Sequence, residues 1–183
     1  MIRTNNRRWL AACALAAWLV GLPAFAGAEE LTNRFGFGTD FGFWSGTVDG
    51  TRFAMSFNVD YYVDRAFSIG GMMLLSPVGD LANVGFAGLA RYHYRMGAVN
   101  LVPFAGLGLL HSDLDKGSGP GRIDRNDTSH WIPIGISAEY QLSPKLALAN
   151  TLMFNIHSIN LSPSVVERDT TSVTLLFGFR FGP

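Results

Sequence analysis

His111, His130 and His157 stand near Asp113, Asp127, Ser129 and Ser158. An imidazole beside a hydroxyl can activate it as a nucleophile. A group of imidazoles and carboxylates can also hold a metal. A hydrolytic reading falls on His157, Ser158 and, farther on, Glu167. Its weakness is spacing: Ser158 follows His157 directly, and adjacent residues of a strand point to opposite faces. The segment Asp113-x-Asp115, with Asp124 farther on, has the outline of a calcium loop. The Gly such a loop needs at its sixth place is Ser118, and Gly117 takes a liganding place. The Gly, Pro and Asp content of Ser112–Ser129 reads instead as a flexible, solvated surface loop. No metal and no cofactor is expected, and polar decoration is the simpler account of all three patterns.

A second set is Asp40, Asp60, Arg91, Glu139 and Arg180, with His93 beside Arg91. Its meaning depends on the elements that carry it. The 183 residues leave room for one main domain, with 48% hydrophobic and only 15% charged residues, 21 Gly and 14 Phe. An ordinary soluble domain has roughly 25% charged residues. A chain this poor in charge must bury nearly everything or face something other than water.

The first residues are a separate matter. Arg3, Arg7 and Arg8 precede an apolar run from Trp9 to Val20; Pro23 breaks it, and Ala24-Phe25-Ala26 or Ala26-Gly27-Ala28 supplies a small-residue cleavage site. Residues 1–28 read as a cleaved secretory signal peptide. Cys13, the single cysteine, lies within it, too early in the apolar run for a lipoprotein box. The mature chain, 29–183, then has no thiol. Losing Arg3, Arg7 and Arg8 and no acid leaves 11 basic against 14 acidic residues, a net charge of −3. No basic run remains, which argues against nucleic acid as a partner.

After residue 30 no apolar stretch approaches the roughly 20 residues of a membrane helix. Alternation recurs instead, the mark of strands with two unlike faces. Phe35, Phe37, Phe41 and Phe43 oppose Gly36, Gly38, Asp40, Gly42 and Trp44 in a strand over 34–44. Similar patterns predict strands over 52–63, 67–76, 83–94, 101–110, 130–140, 146–156 and 171–181. Met72 and Leu74 blur the third strand, Asn150 breaks the seventh, and the fifth is apolar on both faces. Short connections at 64–66, 95–100 and 141–145 alternate with longer ones at 45–51, 77–82, 111–129 and 157–170. Short turns at one end and long loops at the other are the habit of outer-membrane barrels, and they put both termini on the periplasmic side.

The fold class expected is all-β: an eight-stranded antiparallel up-and-down transmembrane β-barrel. A soluble eight-stranded barrel would show lysine and glutamate on its outer face. Here the mature chain's lysines are Lys116 and Lys145, both in connections. The face of Gly, Ala, Ser and Asn suits a narrow lumen, and the Phe, Leu, Ile and Val face suits lipid. Asp40, Asp60, Arg91, Glu139 and Arg180 then point inward, where enclosed charges should be paired. They read as a structural network plugging the lumen, with the lining of a narrow pore as the alternative. His93 reads as a hydrogen-bonded interior histidine. Phe35, Tyr61, Tyr92, Tyr94, Tyr140 and Phe181 near one set of strand ends, and Phe43, Phe53 and Trp131 near the other, read as aromatic girdles.

With its leader, the stretch Leu101-Val102-Pro103-Phe104-Ala105-Gly106-Leu107-Gly108 and the closing strand Leu175–Phe181, the chain resembles the small outer-membrane β-barrel superfamily of OmpA-like membrane domains and opacity-type surface proteins. The resemblance covers 29–183. It implies a monomer in a Gram-negative outer membrane, contact with outer-membrane lipids and lipopolysaccharide, and a last strand read by the barrel-assembly machinery. Here Phe181 is followed by Gly182-Pro183, whereas the family's signal ends on the aromatic residue. His157, Ser158, Asn160 and Glu167 are similar to the motif of the lipid A deacylase barrels, which places Ser two residues after His. The function expected is a surface protein with a structural or interaction role through its outer loops, rather than an enzyme. The alternatives are a lipid A-modifying hydrolase and a narrow channel for small molecules.

Overall fold

The structure is a computed structural model, and it describes residues 34–47, 50–77, 80–117, 123–160 and 169–182. Residues 1–28, expected to be a signal peptide, and Ser118 and Glu167 lie outside the described residues. The strands are β1 (Arg34–Thr47), β2 (Gly50–Tyr62), β3 (Phe67–Ser76), β4 (Leu81–Tyr92), β5 (Tyr94–Met96), β6 (Val99–Lys116), β7 (Ile123–Ser143), β8 (Leu146–Ile159) and β9 (Asp169–Phe181). Each pairs antiparallel with its neighbour; β1 pairs β9 and β4 pairs β6, which closes the ring.

β4 and β5 are one stave. Both keep the same register against β6, from Arg91↔Phe104 to Tyr94↔Leu101. The ladder lapses opposite Pro103, which has no N–H to give. On its other side the stave stays paired, and the His93 N–H donates to the carbonyl of Ala66 at 2.7 Å, in the register of β3 with β4. Counted as staves, the barrel has eight strands, as the alternation predicts. Pro133 has a like effect in β7, where the β6–β7 ladder skips from Ala105↔Ile134 to Gly108↔Trp131.

The alternation sorts the faces as expected. Along β1, Phe35, Phe41 and Phe43 are exposed while Gly36, Gly38, Asp40, Gly42 and Trp44 are buried. Phe86, Leu107, Leu109, Ile134, Ile136, Leu152, Phe154, Leu175, Phe177 and Phe179 continue the exposed band around the barrel. A contiguous apolar surface of this extent has no place in water. Closure pairs the backbone polar groups of the staves with one another, the condition for crossing hydrocarbon. The fold is that of a transmembrane β-barrel. Of the girdle, Phe35, Tyr92, Tyr94, Tyr140 and Phe181 are exposed, and Tyr61 stands beside Phe35 with ring centroids 5.3 Å apart.

Two expectations fail. The segment Ser112–Ser129 is not a free loop: β6 runs to Lys116 and β7 begins at Ile123, paired residue for residue from Leu110↔Ser129 to Lys116↔Ile123. Its alternation survives, with Ser112 and Leu114 buried and Asp113 and Asp115 exposed. Polar residues mark strand that has left the membrane, not the absence of strand. An extended ladder also cannot wrap an ion, so the calcium-loop reading of Asp113, Asp115 and Asp124 is withdrawn. The second failure is Trp131. It is 0% exposed and lies in the lumen, not in a girdle. It shares parity with Pro133 and Ser137, the inward face of β7.

The connection after Met96 shows how the short end is made. Met96 pairs Val99, leaving a two-residue turn whose first residue, Gly97, has φ 61°. Two-residue hairpins need that positive φ, which favours glycine.

Candidate functional site

The lumen has two unlike halves. Toward the short-turn end the inward residues are charged and joined in one network. Asp60 and Arg91 meet at 2.9 Å through Oδ1 and Nε. Arg91 donates to Asn58 Oδ1 at 2.7 Å, and its guanidinium lies 5.3 Å from the centroid of the Phe104 ring. Asn58 donates to Asp40 Oδ2 at 2.9 Å, and Ser56 donates to the same oxygen at 2.7 Å. Arg180 pairs with the other oxygen of Asp40 and reaches Glu139 at 3.6 Å. Glu139 accepts from the Asn100 amide at 2.9 Å. All five charges picked out by face and parity are therefore inward and joined. His93 is interior as well, 2.9 Å from Ser68 Oγ and 3.2 Å from Asn100 Nδ2. Buried ions cost several kcal/mol each when unpaired, so mutual pairing is the condition for having them there at all.

Toward the long-loop end the lumen holds an apolar cluster. Trp44, Leu74, Leu81, Leu110, Leu114, Trp131, Met153, Ile159 and Leu176 are buried together. The two indoles are buried there and tie off their own N–H groups on neighbouring strands. Trp44 Nε1 donates to Ser172 Oγ at 2.6 Å, and Trp131 Nε1 donates to Asn155 Oδ1 at 2.9 Å. Asn155 in turn donates to Thr174 at 2.8 Å. Trp131 has room because β4 carries Gly85: a Cβ there would stand 2.8 Å from the indole. The sequence signals for this plug were Met72 and Leu74 in β3 and the two apolar faces of the strand after residue 101. They read as noise because a membrane barrel was expected to be polar within. Side chains that fill a narrow lumen need only pack, and apolar ones do so without leaving polar atoms unpaired.

The three histidines are split. His111 and His130 face outward and are exposed, with His111 Nδ1 2.8 Å from Thr128 Oγ1. His157 faces inward, buried, with Nε2 3.1 Å from Ser172 Oγ. Parity decides this, since His111 and His130 pair with outward Thr128 and Leu109, whereas His157 pairs with inward Trp131. Ser158 lies on the face opposite His157 and offers its backbone N–H to Ser129 Oγ at 2.7 Å. His157 and Ser158 are therefore not a nucleophile–base pair. The hydroxyl that His157 does meet, Ser172, is buried and already accepts the Trp44 N–H. Among the described residues, no group of three or more His, Cys, Asp or Glu side chains could hold a metal.

Beyond the plug, β6 and β7 continue as a two-stranded ribbon. β4 supports β6 as far as Leu81↔Leu114, but β8 pairs β7 only from Trp131↔His157 onward. Residues 123–130 thus pair with β6 and have no ladder partner on β8, which meets them only through the Ser158 N–H on Ser129 Oγ and, just past its end, the Asn160 N–H on Asp127 Oδ2, each at 2.7 Å. This ribbon carries His111, Asp113, Asp124, Arg125 and His130 on exposed positions.

No family model matches the chain, and no curated protein matches it. Solved structures do. Neisserial surface protein A superposes with a TM-score of 0.60 at 16% identity, over 81% of this chain and 95% of that one. A major outer-membrane protein of Thermus thermophilus gives 0.62 at 11% identity, over 82% and 99%. The attachment invasion locus protein Ail of Yersinia pestis, solved with the heparin analogue sucrose octasulfate, gives 0.53 at 11%, over 82% and 97%. The shared property is the fold, that of small outer-membrane barrels.

Proposed function

We propose that the protein is an outer-membrane surface protein whose recognition is done by the elements of its long-loop end. The leader at 1–28 is removed on export, the short turns and both termini lie in the periplasm, and the last strand addresses the barrel-assembly machinery. The observation that carries this reading is the contrast between ribbon and lumen. The lumen holds an ion-pair network below two buried tryptophans, an arrangement suited to blocking solute and not to conducting it. The ribbon of β6 and β7 instead runs on past its ladder with β8 and presents His111, Asp113, Asp115, Asp124, Arg125 and His130 to its surroundings. Seated in the outer leaflet, those residues stand level with lipopolysaccharide sugars and phosphates. That the Ail barrel was solved with a heparin analogue supports a saccharide as the class of ligand. The protein acts by binding, not by turning over lipid.

The test is a graft. Residues 112–127 are replaced by a two-residue Asn-Gly turn, which closes β6 onto β7 at the barrel rim. The shortened barrel should still run faster on an unheated gel than after boiling. It should lose co-purifying lipopolysaccharide relative to the parent. If both proteins retain the same amount, the ribbon is not the recognition element. Alanine at His157 and Ser158 should leave the lipid A mass profile of expressing cells unchanged; an altered profile would revive the hydrolase reading.

A further inference from the structure

The short-turn end of the barrel is not filled. A cavity of about 280 Å³ opens there, between the charged network and the turns. The charges on its floor are committed: Asp60 to Arg91, and Arg180 to Asp40 and Glu139. Two further cations line it, Arg95 at the end of β5 and Lys145 in the turn between β7 and β8. Among the described residues neither has an ion-pair partner. The floor network counts three carboxylates against two guanidiniums, and Arg95 and Lys145 bring the sum around the cavity to one positive charge. Low-dielectric walls focus such a field on whatever enters. Asn100 also lines the space. Its amide N–H groups go to Glu139 and His93, and its carbonyl oxygen is buried with no partner. Gln141 and Ser143 add neutral hydrogen-bonding groups to the wall.

We infer that this cavity binds a small organic anion that also carries a hydrogen-bond donor, the chemistry of an amino acid or hydroxy acid. Arg95 and Lys145 hold the carboxylate, and the donor answers Asn100. The volume admits a molecule of that size and excludes a folded partner. The network and the tryptophans above make the cavity blind, so the anion is held and not conducted. That the opening faces the periplasm rests on the proposed seating; the binding itself does not.

Calorimetric titration of the folded mature protein in uncharged detergent tests the assignment. L-Glutamate should bind saturably at one site. Glutarate, with the same carboxylates and no ammonium donor, should bind more weakly, and cationic lysinamide should not bind. The double variant Arg95→Gln, Lys145→Gln should lower glutamate affinity at least about tenfold, because two charged contacts are lost. Both positions lie at the exposed end, so the unheated-gel shift should persist; each single variant, with a smaller loss, stands in should it not. No saturable glutamate binding, or binding unchanged in the variants, overturns the site. Equal binding of glutamate and glutarate overturns the part given to Asn100.

Discussion

Replacing Asp40 by Asn removes the carboxylate on which three inward residues converge. Asp40 is 2% exposed; Ser56 and Asn58 donate to one of its oxygens, and Arg180 pairs with the other. Asparagine keeps the shape and one acceptor but leaves the Arg180 guanidinium without its main counter-charge. Breaking one side of a buried ion pair costs about 3–5 kcal/mol. The low end, about 3 kcal/mol, applies here, because Glu139 at 3.6 Å remains as a second anion and the Arg180 side chain keeps 11% exposure. Changing Arg180 to Gln as well removes the stranded charge. The double variant should therefore be more stable than the sum of the singles predicts, by about 1.5 kcal/mol or more. Urea unfolding in phospholipid vesicles measures this. Trp44 and Trp131, the only tryptophans of residues 29–183, both report from the lumen. A loss under about 1 kcal/mol for Asp40→Asn, with strict additivity in the cycle, would refute the argument. It would mean that the network stands in water and holds nothing together.

Other outcomes follow from the same geometry. Gly85→Ala should cost about 1–3 kcal/mol and shift the Trp131 emission, since the new methyl meets the indole at 2.8 Å; an unshifted, equally stable variant counts against the packed outer plug. Phe177→Arg puts a cation on the lipid face opposite Phe41 and Asn150, and in vesicles it should cost about 2–4 kcal/mol. A neutral effect would place that face in water. Planar-bilayer recordings of the mature protein should show no steady conductance, and a stable open level at any voltage would contradict the closed lumen.

How much of this is legible in the sequence depends on what parity can decide. β3 occupies 67–76, the span its alternation predicts, and Asp40, Asp60, Arg91, Glu139 and Arg180 are inward because each sits in register with glycine, serine or asparagine on its strand. Trp131 shows the cost of reading by position along the strand instead. Nearness to a strand end suggests a girdle, whereas its parity with Pro133 puts it inside. The histidines fail for a related reason. Sequence gives their height, and His111, His130 and His157 do share one end of the barrel, but two face out and one faces in. The ribbon was hidden by composition. Past the lipid boundary both faces of a strand can be polar, so Asp113, Asp115 and Asp124 resemble loop even as they pair across a ladder. The apolar plug was least legible of all. Leu74, Leu110, Leu114 and Leu176 come from three strands and meet only because the sheet closes on itself.

The central claim is that this sheet lies in a bilayer with one face to lipid and the other around a filled lumen. Because residues 29–183 contain no cysteine, single-cysteine spin labels can be placed in that segment along β9 at Thr174, Leu175, Leu176, Phe177 and Phe179 without background. In vesicles, collision with dissolved oxygen should rise and fall with a period of two. It should be high at Leu175, Phe177 and Phe179 and low at Thr174 and Leu176, with an aqueous nickel chelate excluded from all five. Uniform accessibility along the strand, or chelate contact at the positions of Phe177 and its neighbours, would contradict it.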